Sequence, residues 1–178
     1  FAKAQAQHDT AALRSALTHY EAVAQRNKGR RTESALAQAA GIAYELREYA
    51  QALALYNRLG STSENDQHRL DARLGTLRCQ VELGSRQGIA EAAHSLMAEP
   101  KATGEMLDEA TVSLARIYMA SKQMDSAAYY YALLAQAENG AYYGEALYRQ
   151  AEMLYLDRRY DACEAAILAI VNNPPADY

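Results

Sequence analysis

Residues 114 to 134 read LARIYMASKQMDSAAYYYALL, and Tyr129, Tyr130 and Tyr131 stand side by side in a chain with 14 Tyr, one Phe and no Trp. On an α-helix consecutive side chains diverge by about 100°, so Tyr129 and Tyr131 point to nearly opposite sides and cannot share one role. Tyr131 goes with Met124, Ala127 and Leu134, whose offsets of 0, 3, 7 and 10 mark one helical face. Tyr131 is therefore expected in a core. Tyr130 is expected at the seam of a helix pair, its hydroxyl reaching water or a carbonyl, and Tyr129 is expected to face outward.

The same offsets recur along the chain. They pick out Leu13, Ala16, Tyr20 and Val23; Tyr49, Ala52, Tyr56 and Leu59; Gln87, Ala90, His94 and Met97; and Tyr160, Cys163, Ile167 and Ile170. From Ala16 through Ala52, Ala90 and Ala127 to Cys163 the steps are 36, 38, 37 and 36 residues, the period of a stacked helical repeat. Upstream of four of these helices lies a second periodic segment with a small residue at a matching place: Gly41, Gly75, Ala115 and Ala151. Each unit thus reads as helix A, a tight turn and helix B, the small residues letting paired helices approach closely. Breakers separate the units in NKGRR, GSTSEND, EPKATGE, ENG and NNPP. The helices are predicted at roughly 9 to 26, 33 to 47, 49 to 59, 67 to 83, 87 to 98, 105 to 121, 124 to 138, 142 to 157 and 160 to 172.

Composition narrows the function. The formal net charge is -4 and Arg is scattered, so no footprint for a phosphate backbone is present and nucleic acid is not expected as a partner. The longest run without a polar residue, Ala165 to Val171, is far short of the roughly 20 residues that span a bilayer, so no membrane insertion is expected. Cys79 and Cys163 lack a metal-ligand pattern and read as two buried free thiols. His8, His19, His68 and His94 show no HExxH spacing, and His94 is expected in the core where other repeats carry Tyr. GSRQG lacks the Lys and Ser/Thr of a phosphate loop, and Arg30, Arg31, Arg158 and Arg159 fall in solvated turns. Neither an enzymatic constellation nor a cofactor or metal site is expected.

The stretch from Leu114 resembles the tetratricopeptide repeat, with Leu114, Ala115, Tyr118, Met124, Ala127 and Tyr131 at the family's places. ALYRQAEMLYLDRRYDACEAAI matches with Cys163 for Ala and Ile167 for the aromatic. The unit from Ser34 matches through Gly41, Tyr44, Tyr49, Ala52 and Tyr56 with a turn one residue short. The unit from His68 departs most, Arg78 replacing the Tyr. The resemblance implies an all-α, right-handed α-α superhelix as a single array over 1 to 178. It comprises a partial repeat at 9 to 26 and repeats at 33 to 60, 67 to 98, 105 to 138 and 142 to 175.

It also implies a non-enzymatic scaffold that binds a peptide or partner protein in a groove lined by helix A. Carried over by position, the groove comprises Gln38, Ile42 and Glu45, then Arg69, Arg73, Thr76 and Gln80. It continues with Glu109, Val112, Arg116 and Met119, then Glu145, Tyr148, Arg149, Glu152 and Tyr155. Tyr148, Glu152 and Tyr155 follow i, i+4, i+7 spacing and form one stripe. This stripe either lines the groove or packs on an adjacent helix A. The Lys, Asn and Arg with which some members clamp a carboxyl terminus are missing, Gln38 and Ile42 taking the first two places.

The alternative function is a structural spacer or self-association segment of a larger repeat protein. Ala162, Ala165, Ala166, Ile167, Ala169, Ile170 and Val171 spread apolar surface around most of the last helix. The chain is expected to be a piece of a longer array, and in isolation that surface is expected to be covered by self-association that buries Ile167, Ile170 or their neighbours. DACEAAILAIVNNPP is similar to repeats of bacterial envelope assembly proteins, which implies an extracytoplasmic home.

Overall fold

The computed structural model describes residues 2–26, 30–138 and 140–175, with side chains placed at 9–25, 30–138 and 140–175. Among the described residues every regular element is an α-helix. They are α1 (Ala2–Arg26), α2 (Arg30–Glu45), α3 (Tyr49–Thr62), α4 (Asp66–Glu82), α5 (Arg86–Met97), α6 (Gly104–Ala120), α7 (Met124–Leu134), α8 (Tyr143–Leu156) and α9 (Tyr160–Asn172). The expected boundaries hold to within a few residues, apart from α7, which ends at Leu134 rather than near 138, and three further exceptions. Helix α1 begins well before residue 9. Helix α2 takes in Arg30 and Arg31, which were expected in a turn. Helix α3 runs on through Gly60, past the expected breaker.

The chain divides into two compact units, Phe1–Gly88 and Ile89–Tyr178, the division falling inside α5. In the first, α1 packs on α2, α2 on α3, α3 on α4, and α2 also on α4. Its core joins Leu17 and Ala24 of α1, Ala35, Leu36, Ala39, Ala40 and Ala43 of α2, Ala52, Leu55 and Leu59 of α3, and Ala72 and Cys79 of α4. Four of its five α2 members are alanines. In the second, α6 packs on α7, α7 on α8 and α8 on α9. Here Val112, Ala115, Ala127, Tyr131, Leu134 and Ala146 form one buried cluster. Within each unit, helices therefore bury their apolar stripes on sequence neighbours, the packing of an all-α helical repeat.

All four A-to-B turns have one geometry. Arg47, Gly84, Lys122 and Arg158 have φ of 61°, 67°, 58° and 59°, the left-handed region, at steps of 37, 38 and 36 residues. The amide after each donates five residues back: Glu48 to Ala43, Ser85 to Gln80, Gln123 to Tyr118 and Arg159 to Leu154, at 2.9, 3.2, 2.9 and 2.9 Å. The left-handed residue itself donates to Tyr44, Val81, Met119 or Tyr155. This pair of bonds is the Schellman motif, which satisfies the carbonyls that end a helix. Helix B starts two residues later in every case, so the turn after α2 is not a residue short.

Burial corrects two registers. In α5 the buried residues are Ile89, Ala92, Ala93 and Leu96, whereas His94 is exposed with Nδ1 2.7 Å from the Ala90 carbonyl. The places that hold Ala127 and Tyr131 in α7 hold Ile89 and Ala93 in α5, small and large exchanged. In α1, Leu17 and Ala24 are buried while Tyr20 and Val23 are exposed. The Ala24 carbonyl there accepts from Arg58 at 2.9 Å and Glu21 accepts from Gln51 at 2.8 Å, which turns this side of α1 toward α3.

The small residues of helix A also differ. A Cβ on Gly75 would lie 2.4 Å from the Tyr56 ring, so only glycine admits the aromatic of the preceding helix B. A Cβ on Gly41 would meet nothing within 4 Å, so the expected close approach is absent there. Both cysteines are free and buried, and burial, followed by the Glu82 charge, pushes the Cys79 thiol up to about 11.

Candidate functional site

The three tyrosines of α7 settle as their angles require. Tyr131 is fully buried, and burial pushes its phenol up to about 12. Tyr130 lies in the α6–α7 seam, stacked on Tyr118 at 5.6 Å with the rings 3° apart. Tyr129 is 60% exposed and meets Tyr130 edge-on.

From this core the face of α6 and α8 can be built outward. Arg116 leaves α6 one residue after the buried Ala115. Its Nε and Nη2 donate to Glu145 Oε1 and Oε2 on α8 at 2.9 and 2.5 Å. This fork of two parallel charge-assisted bonds raises the Arg116 pKa and holds the Glu145 carboxyl below the usual carboxylate range. The Tyr131 hydroxyl donates to Glu145 Oε1 at a long 3.4 Å, linking the core to the surface pair. The Arg116 guanidinium also lies 5.7 Å over the Tyr142 ring.

One turn along α8, Arg149 donates to Glu152 at 2.7 Å, a bond that raises the Arg149 pKa. The same guanidinium lies 5.7 Å over the Tyr148 ring. Tyr148 and Tyr155 are 47% and 60% exposed, and Tyr155 meets Tyr160 of α9 edge-on at 5.6 Å. The structure thus joins Arg116 to Glu145 between helices and Arg149 to Glu152 and Tyr148 along one helix.

Other proposed residues lie apart from these pairs. Met119 is half-buried against the cluster that contains Val112 and Tyr131. Glu109 is half-buried, its carbonyl accepting from Ser113 at 2.7 Å. Val112 was expected on the groove but is buried, the helix turning it onto α7 instead. Arg73 is half-buried on α4 and belongs to the first unit. Sequence reasoning passed over Tyr142 and Tyr160. Tyr142 precedes Glu145 by three residues, so helical spacing could have found it. The repeat period reaches Tyr160 but groups it with Cys163 on the apolar face of helix B, whereas its ring is exposed and meets Tyr155.

A second polar cluster lies in the first unit. Glu33, in the first turn of α2, is buried. It accepts from Ser63 Oγ at 2.7 Å and the Glu64 amide at 3.4 Å, and lies 3.1 Å from His68 Nδ1. These contacts, the Ser63 hydroxyl foremost, hold its carboxyl below the usual range. Asn65 caps α4 by accepting from the amides of Gln67 and His68. The Ser63 proton points to a carboxylate rather than to the imidazole, so the trio lacks the hydroxyl-to-base bond of a nucleophilic serine. It ties the start of α2 to the α3–α4 turn.

Among the described residues no helix is long and apolar enough to cross a membrane, and no group of three or more His, Cys, Asp or Glu is placed to hold a metal. No family model, no curated protein and no solved structure matches this chain.

Proposed function

We propose that the chain is a non-enzymatic interaction scaffold of the tetratricopeptide kind, binding a peptide or partner protein on the helix A face of its second unit. The carrying observation is the stripe of Tyr148 and Tyr155, two large aromatics about half or more exposed on a helix whose charged neighbours are already paired. Tyrosines offer large contact area at low entropic cost and are enriched where proteins meet. Arg116, Glu145, Arg149 and Glu152 act in this reading as the polar frame, with Glu109 and Met119 contributing from α6. Arg73 would be the corresponding contact of the first unit. Arg116, Glu145, Arg149 and Glu152 are engaged in ion pairs, which favours recognition over acid–base chemistry.

Affinity capture from a native lysate, comparing the intact protein with a Tyr148→Ala/Tyr155→Ala variant, tests the proposal. A partner retained by the first and lost by the second supports it, and identical capture by both overturns it. A bacterial, extracytoplasmic setting belongs to the same proposal and rests only on the resemblance of the last repeat. A second reading, self-association, is favoured by Ile167, Leu168 and Val171, which α9 leaves exposed. Sedimentation that shows a dimer abolished by Leu168→Glu supports this reading, and a strict monomer at high concentration contradicts it.

A further inference from the structure

The spacing and electrostatics of the α8 stripe select one kind of ligand, an inference that rests on the partner-binding reading above. Tyr148 and Tyr155 are seven residues apart, so they share one side of the helix and are separated by about 10.5 Å along its axis. A polyproline II chain repeats its side chains every three residues, a rise of about 9.3 Å. Residues i and i+3 of such a chain therefore fall on successive tyrosines, the remaining difference of about 1 Å being within the reach of a tyrosine side chain.

Charge selects in the same direction. Both arginines of the face are matched at hydrogen-bond distance by a carboxylate, Arg116 by Glu145 and Arg149 by Glu152. An acidic or basic peptide would have to compete with these pairs, whereas an uncharged one leaves them intact. The rings are also held in place, Tyr148 beneath the Arg149 guanidinium and Tyr155 against the edge of Tyr160. Exposed tyrosine supplies an apolar face for a pyrrolidine ring and a hydroxyl that donates to a carbonyl. A polyproline II chain leaves its carbonyls without internal donors, and its conformation is already set before binding.

We propose that Tyr148 and Tyr155, with Tyr160 at one end, dock an uncharged proline-rich segment in the polyproline II conformation, with prolines at i and i+3. The probe is a capped decaproline peptide with one terminal Trp. The protein contains no Trp, so anisotropy excited at the red edge of indole absorption reports the peptide alone. Saturable binding is expected, weakened about tenfold or more by Tyr148→Ala and by Tyr155→Ala. Tyr129→Ala, at an exposed tyrosine of another helix, should leave it unchanged, and raising the salt should have little effect.

Gly-Ser and Glu-rich decamers with the same Trp serve as controls, and circular dichroism verifies that each variant stays helical. Absence of saturable decaproline binding, equal binding of either control, or indifference to both alanine substitutions overturns the proposal. If lysate capture still depends on Tyr148 and Tyr155 while decaproline fails, this inference alone is lost. If capture ignores both substitutions as well, the partner-binding reading is lost with it.

Discussion

At the scale of single residues, Gly41 and Gly75, six and nine residues before the left-handed residues Arg47 and Gly84 of their turns, are under opposite requirements. At Gly75 the Tyr56 ring fills the space a Cβ would need, and overpacking a fixed aromatic costs about 1–3 kcal/mol. At Gly41 the space is open, so alanine gains its helix propensity of about 0.5–1 kcal/mol. Urea unfolding should therefore show Gly75→Ala destabilised and Gly41→Ala stabilised. Midpoints that move in the same direction would contradict the packing described.

Glu33 adds a pH dependence. Its folded-state carboxyl is depressed, so the stability it contributes is fully present above its unfolded pKa of about 4.3 and drains away as pH falls through the lower folded value. The gap in Tm between the natural protein and Glu33→Gln should be constant near neutrality and shrink below about pH 4. A gap that stays constant in acid would show that the Ser63 and His68 contacts do not favour the charged form.

At the scale of elements, the A-to-B turn is the most regular feature of the chain, yet three of its four left-handed positions carry Arg or Lys. A non-glycine residue there costs about 1 kcal/mol, in part offset by a cation's attraction to the helix C-terminus. Lys122→Gly should accordingly raise stability by up to about 1 kcal/mol, and Gly84→Ala should lower it by about as much, both read from chemical denaturation. Lys122→Gly lowering stability and Gly84→Ala raising it would mean that the turns are set by side-chain contacts rather than by backbone conformation.

The same turn explains what was legible beforehand. Breakers and apolar spacing located the helices, since both reflect local chemistry. Register slipped by one residue in α1 and α5 because the pattern was anchored on alanine, which this chain places on buried and exposed sides alike. The feature that fixes register, φ near +60°, is carried by Arg, Gly, Lys and Arg, residues with no common signature. The Tyr148, Glu152 and Tyr155 stripe was readable from spacing within one helix. The Arg116–Glu145 fork was not, because it joins residues 29 apart that only the packing of α6, α7 and α8 brings together.

At the scale of the whole molecule, each unit is held by contacts between neighbouring helices, so its stability is close to a sum of helix-pair and interface terms. We propose that an array held in this way gives its surface to recognition. That surface is proposed to be the α8 stripe framed by α6. Site-specific photo-cross-linking tests it most directly, with a benzophenone amino acid placed singly at Tyr148, Tyr155, Tyr129 or Leu168 and the protein exposed to its native lysate. A discrete partner adduct is expected from positions 148 and 155 and none from 129 or 168. Adducts from 129 or 168 alone would contradict it.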